Sequence, residues 1–156
     1  MEMRGFVMNL ALTSVFAALY ATITIVLAPI SFYAIQVRIS DSLLALSLLF
    51  GPPVIIGTSI GCFIANLIGP FGIVDALGGS LANLVATYLG WRFRRRRTLA
   101  IMQMPFTVSL IVSLYLYELL NLPPLLTFAY LLIGSLISIG GLGSLLLRIV
   151  SRWYVS

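Results

Sequence analysis

Apolar runs follow one another along almost the whole chain, separated only by short breaks rich in proline, glycine or arginine. About 20 apolar residues in a helix cross the hydrocarbon core of a bilayer, where every backbone N–H and C=O must be satisfied within the segment. The runs cover residues 6–27, 40–50, 54–68, 73–91, 99–120 and 125–147. Each is read as a span, so the expected fold is an all-α integral membrane protein, a six-transmembrane-helix bundle forming one domain over 1–156. Six such helices leave only a few dozen of the 156 residues for loops and termini, too few for a soluble catalytic domain. A composition of 61% hydrophobic and 8% charged residues agrees.

The breaks carry recognisable stop signals. Pro29 ends the first run and opens a loop to Arg38, and Gly51-Pro52-Pro53 closes the short second run. Gly69-Pro70-Phe71-Gly72 and Asn121-Leu122-Pro123-Pro124 mark two further turns, and Pro105 predicts a kink in the fifth span. The first run is too long for the apolar region of a signal peptide, and further spans follow it directly.

All nine basic residues are arginine, and there is neither lysine nor histidine. Without lysine the chain has no G-x-x-x-x-G-K-[ST] loop for nucleotide phosphates, and without histidine it has no H-E-x-x-H zinc helix and no Ser-His or Cys-His pair. No catalytic residue, metal site or cofactor is expected. The single Cys62 excludes an intramolecular disulfide and is read as a small packing residue. With six spans, Arg4, the cluster Arg92 to Arg97, Arg148 and Arg152 share one side, which the positive-inside rule makes cytoplasmic together with both termini. The positive charge of +5 then reports orientation in the plasma membrane and contact with lipid, and not nucleic acid.

The remaining polar residues collect toward the opposite side. Gln36 and Arg38 lie in the first loop, Asp41 starts the second span, Asn66 ends the third, Asp75 starts the fourth and Glu118 ends the fifth. Asn83 lies about 12 Å deeper than Asp75 at about 1.5 Å per residue. A polar group at that depth is costly against lipid and belongs in the bundle or a wet cavity. Helix capping by Asp41, an Arg38–Asp41 pair at i,i+3, interhelical bonds from Asn66 and Asn83, and a solvated Glu118 are the structural alternatives. Their convergence from several segments favours a ligand pocket, with Tyr33, Phe32, Phe71 and Tyr115 as aromatic walls. In the first span, Thr13, Ala17 and Ala21 recur every four residues, as do Ser14, Ala18 and Thr22. Such stripes let another helix approach closely, either a partner subunit's or one of this bundle.

Ala17-Ala18-Leu19-Tyr20-Ala21, Leu27-Ala28-Pro29-Ile30-Ser31, Gln36-Val37-Arg38-Ile39-Ser40-Asp41 and Ile60-Gly61-Cys62-Phe63-Ile64-Ala65-Asn66-Leu67 carry a family resemblance. So do Gly69-Pro70-Phe71-Gly72, Asp75 and Gly79-Ser80-Leu81-Ala82. Over about residues 11 to 90 the chain resembles the queuosine-precursor (QueT-type) substrate-binding S components of energy-coupling-factor (ECF) transporters. The resemblance implies an outward pocket closed by the first loop. It also implies docking through Ser14, Ala17, Ala18 and Ala21 onto a membrane coupling subunit driven by two ABC-type ATPases. The implied substrate is a 7-deazaguanine-type queuosine precursor, held by Tyr33, Gln36, Arg38, Asp41, Asn66, Phe71, Asp75, Asn83 and Glu118. The chain departs from the family pattern in Asp41, where members carry Glu, in Ser135, where Gly-Glu is usual, and in Ser109, near a usual Asn. An S component for another vitamin-like molecule, or a stand-alone secondary transporter with Asp75 or Glu118 as proton carrier, remain the alternatives. A purely structural membrane protein leaves the gathered polar residues unexplained.

Overall fold

The structure, a computed structural model, describes residues 2–32 and 36–154, and every regular element among them is helical. In chain order these are α1 (Glu2–Val26), α2 (Ala28–Ser31), a 3-10 helix (Ile39–Leu46) running into α3 (Ser47–Phe50), α4 (Pro52–Ile68), α5 (Gly72–Arg92) and α6 (Arg97–Leu120). The chain then continues through α7 (Pro124–Ser135), a π-helical segment (Leu136–Gly143) and α8 (Ser144–Tyr154). Among the described residues, four stretches are long and apolar enough to cross a membrane: Gly5–Val26, Gly72–Arg92, Arg97–Leu120 and Pro124–Trp153. Ile39–Phe50 and Pro52–Ile68, read from the sequence as spans, are apolar but shorter.

The predicted breaks fall at the element ends. Gly51 sits at φ +62°, a region that side chains disfavour, and it turns α3 into α4, whose first residues are prolines without a wasted N–H. A Cβ at Gly51 would also stand 2.7 Å from the indole nitrogen of Trp91. Asn121 ends α6 in the left-handed conformation, and Pro124 opens α7. The expected loop after Pro29 contains a helical turn, α2, and the helix of α6 runs through Pro105.

α1 packs on α4, α4 on α5, α5 on α6 and α6 on α7. The 3-10 helix lies among them, touching α1, α4, α5, the π segment and α8, with Ser40 to Leu46 all buried. At about 2.0 Å rise per residue it reaches farther than an α-helix of equal length, which offsets the shortness of this run. The α1–α4 contact depends on two glycines. A Cβ on Gly57 or Gly61 would lie 2.7 Å from the Thr13 carbonyl oxygen or 2.5 Å from that of Ala17, so the backbones meet directly. One small-residue stripe of α1, through Thr13 and Ala17, is therefore used inside the bundle, whereas Ser14 and Ala18 are exposed. Large apolar side chains such as Leu81, Leu114 and Leu125 cover the outer surface, where a soluble protein of this size would be polar.

Candidate functional site

Asp75, in the first turn of α5, is completely buried. A buried carboxylate needs partners, and Arg38 and Tyr115 supply them, while Asn66 holds the backbone of the same residue. The Arg38 guanidinium lies 3.3 Å from Oδ2, the Tyr115 hydroxyl of α6 donates to Oδ1 at 2.7 Å, and the Asn66 amide of α4 donates to the Asp75 backbone carbonyl at 2.9 Å. One helical turn along α5, Gly78 and Gly79 make room for them. A Cβ there would stand 2.2 Å from the Tyr115 ring or 2.4 Å from the Asn66 amide nitrogen. The glycine pair thus seats the two residues that hold Asp75 from α4 and α6.

Arg38 reaches this position from the segment before the 3-10 helix. Its Nε donates to the Ser31 carbonyl at 3.3 Å, its Nη1 lies 3.8 Å from the Cys62 sulfur, and its guanidinium covers the Phe32 ring at 5.2 Å from the centroid. Phe32 meets Phe71 edge to face, with centroids 6.5 Å apart. The Arg38–Asp41 pair, one of the structural alternatives, does not form. Arg38 is extended at φ −85°, ψ 99°, ahead of the helix, so the i,i+3 proximity of a helix face does not apply, and its acid is Asp75. Asp41 instead accepts a hydrogen bond from the buried Tyr20 hydroxyl of α1. Next to it, the Ser40 and Thr24 hydroxyls are 2.6 Å apart.

A small cavity opens beside the Arg38 network. Gln36, Arg38, Asp41, Gly79, Asn83, Val108, Val112, Leu131 and Ser135 line it, and its space of about 10 Å³ suits one water. The Gln36 and Asn83 amide nitrogens, the Asn66 carbonyl oxygen and the Ser109 hydroxyl are buried without a protein partner. Close packing places Gln36 here: a Cβ on Gly134 would lie 2.2 Å from the Gln36 carbonyl oxygen, so the segment rests on bare α7 backbone.

Of the sequence-predicted residues, Gln36, Arg38, Asp41 and Asn83 share the cavity wall, Asp75 and Asn66 lie directly behind Arg38, and Phe71 stands at the edge through Phe32. Glu118 does not join them. It is exposed, one turn beyond the outward-facing Leu114, and accepts from its neighbour Tyr117 at 2.9 Å. Tyr33 lies outside the described residues. Tyr20 carried no functional reading in the sequence because an aromatic residue in an apolar run looks like packing. Cys62, read as packing, is buried and also faces the Arg38 and Asn66 side chains. Among the described residues no three His, Cys, Asp or Glu side chains gather as a metal site.

A family profile described as QueT transporter matches residues 10–152. The chain belongs to the QueT transporter family. Membership assigns it to a family of membrane transporters and not to a catalytic one. The match runs through α5 and beyond, so it includes Ser109 and Ser135 as well as the first loop. Neither curated proteins nor solved structures gave a match to the chain.

Proposed function

We propose that this QueT family member is the substrate-binding subunit of an ECF-type importer and captures a 7-deazaguanine-type queuosine precursor from outside the cell. The observation that carries the reading is one cavity lined by Gln36 and Arg38 from the first connection, Asp41 from the 3-10 helix, Asn83 from α5 and Ser135 from α7. A fused-ring base offers N–H donors and a carbonyl acceptor on one edge. The second oxygen of Asp41 accepts from the ring N–H groups while Tyr20 holds the first. The unpartnered amides of Gln36 and Asn83 then donate to the carbonyl, replacing bonds that burial has removed from them. Arg38 stays charged, and with Asp75 as its counter-ion it fixes the wall without placing net charge on the base.

A base is far larger than the cavity, so binding moves Gln36 and Arg38 away from Asn83 and Ser135. Transport follows when the six-span bundle, its arginine-rich end cytoplasmic, reorients in the plasma membrane against a coupling subunit powered by two ABC-type ATPases. Ser14 and Ala18 on the free side of α1 belong to that docking face. The test is thermal stabilisation of the purified chain by a panel of 7-deazaguanines and vitamins. A rise in unfolding midpoint with at least one deazaguanine is expected, and a flat response to all of them removes the substrate assignment.

A second reading, an S component for another small vitamin-like molecule, is favoured by Ser135 in the cavity wall and the unpartnered Ser109 hydroxyl. Both are shorter than the carboxylate and amide usual in the family. Mass spectrometry of the ligand released from the purified protein decides between the two. The proton-coupled alternative loses support from geometry, because Asp75 is tied to Arg38 and Tyr115 and Glu118 stands apart.

A further inference from the structure

At the end of the bundle where the arginines gather, α6 and the last helix separate around a second cavity of about 310 Å³. Its rim carries Arg97 and Thr98 from α6 and Ser144 and Arg148 from α8, and its floor is apolar, including Ile101 and Leu147. Among the described residues neither Arg97 nor Arg148 has an acidic partner, since the one ion pair there is Arg38 with Asp75. Gly140 of the π segment keeps the wall low: a Cβ there would meet only the Met102 methyl at 3.5 Å and Leu136 at 3.8 Å, which is ordinary contact.

Two unpaired guanidiniums and two hydroxyls above an apolar trough are a mixed surface that water alone does not suit. In a chain whose outer face is apolar, this cavity opens at the level where lipid phosphates meet acyl chains. We propose that it binds an anionic phospholipid, with the phosphate held by Arg97 and Arg148 and the upper part of an acyl chain on Ile101 and Leu147. The charge complementarity selects an anionic headgroup, and the apolar floor selects a lipid over a free anion. The site shares no lining residue with the Asp41 cavity, which sits deeper along α6 at Val108 and Val112, and it does not depend on the substrate assigned to that cavity. Occupancy would tie α6 to α8 across the π segment, so lipid composition would set the stability of this end of the bundle.

The experiment titrates the full chain, purified in neutral detergent, with dioctanoyl phosphatidylglycerol, dioctanoyl phosphatidylcholine or inorganic phosphate while thermal unfolding is followed. Stabilisation by phosphatidylglycerol well above that by the other two is expected. The double variant Arg97→Gln/Arg148→Gln should raise the half-saturating concentration about tenfold or more, whereas Arg95→Gln/Arg96→Gln, which removes the same charge from residues off the cavity wall, should change it less than about threefold. Gly140→Leu, which keeps every arginine and fills the trough, should also weaken the effect, and it carries the test if the double arginine variant does not fold. Equal losses in the two arginine variants would show a diffuse electrostatic anchor and overturn the site. So would equal stabilisation by phosphatidylcholine, an effect reproduced by phosphate alone, or an unchanged response in Gly140→Leu.

Discussion

Arg38 and Asp75 are both withdrawn from solvent, so each is tolerable only because the other is present. Asp75→Asn leaves a buried guanidinium unpaired and should cost about 3–5 kcal/mol of stability, and Arg38→Met should be similarly harmful. The double variant Arg38→Met/Asp75→Asn should lose less than the sum of the singles, which a double-mutant cycle of unfolding in mixed micelles measures directly. Tyr115→Phe, which removes one neutral donor to the carboxylate, should cost about 1–2 kcal/mol in the same assay. Single polar residues within apolar runs were legible as site candidates because their burial is expensive without a purpose, and Gln36, Asp41 and Asn83 do share a cavity. The identity of their partners was not legible. Arg38 is three residues from Asp41 and 37 from Asp75, yet its extended backbone delivers the guanidinium to the distant acid. Glu118 shows the converse, since position near a helix end said nothing of which side it faces, and its spacing of four from exposed Leu114 puts it outward.

At the scale of elements, glycine rather than bulk decides how these helices meet. Gly57 and Gly61 bring α4 onto the α1 backbone, Gly78 and Gly79 admit Tyr115 and Asn66, and Gly134 receives the Gln36 carbonyl. Gly61→Ala places a methyl 2.5 Å from a backbone oxygen that no rotamer can relieve, so it should destabilise the bundle by about 1–3 kcal/mol. Gly72→Ala provides a contrast at the α5 start: its Cβ meets nothing within 4 Å, so a loss there reports the strain of φ +65° alone. Gly134→Ala should have its larger effect on ligand binding, because it lifts the segment that carries Gln36 while leaving α1–α4 intact. Element ends were largely legible, since proline and glycine mark them by removing a donor or allowing a left-handed turn. The 3-10 form of Ile39–Leu46 and the π segment Leu136–Gly143 were not. Both adjust the path of a helix to its neighbours, and hydrophobic periodicity in an all-round apolar run does not report that adjustment.

For the whole molecule, the polar cavity lies inside the bundle at the level of Asn83 and Val108, whereas the arginine-rich cavity lies where α6 begins, so the two are distinct along the bundle. Orientation can be checked in a Cys62→Ala background with Arg95→Cys or Pro70→Cys, both at exposed positions in turns. A membrane-impermeant thiol reagent applied to intact cells should label the Pro70 variant and spare the Arg95 variant until the membrane is opened. The apolar runs made the membrane class legible from the outset, whereas the order in which the helices pack required the structure, because lipid-facing and helix-facing positions are equally apolar here. The proposed substrate site forms between Gln36, Asp41, Asn83 and Ser135 once Gln36 and Arg38 move away to admit a 7-deazaguanine. Equilibrium dialysis of a labelled deazaguanine against the purified chain and its Asp41→Asn variant tests it most directly. Saturable binding that weakens about 10- to 100-fold in the variant is predicted, from the loss of a hydrogen bond to a charged group. Absence of saturable binding, or equal binding by both proteins, would contradict it.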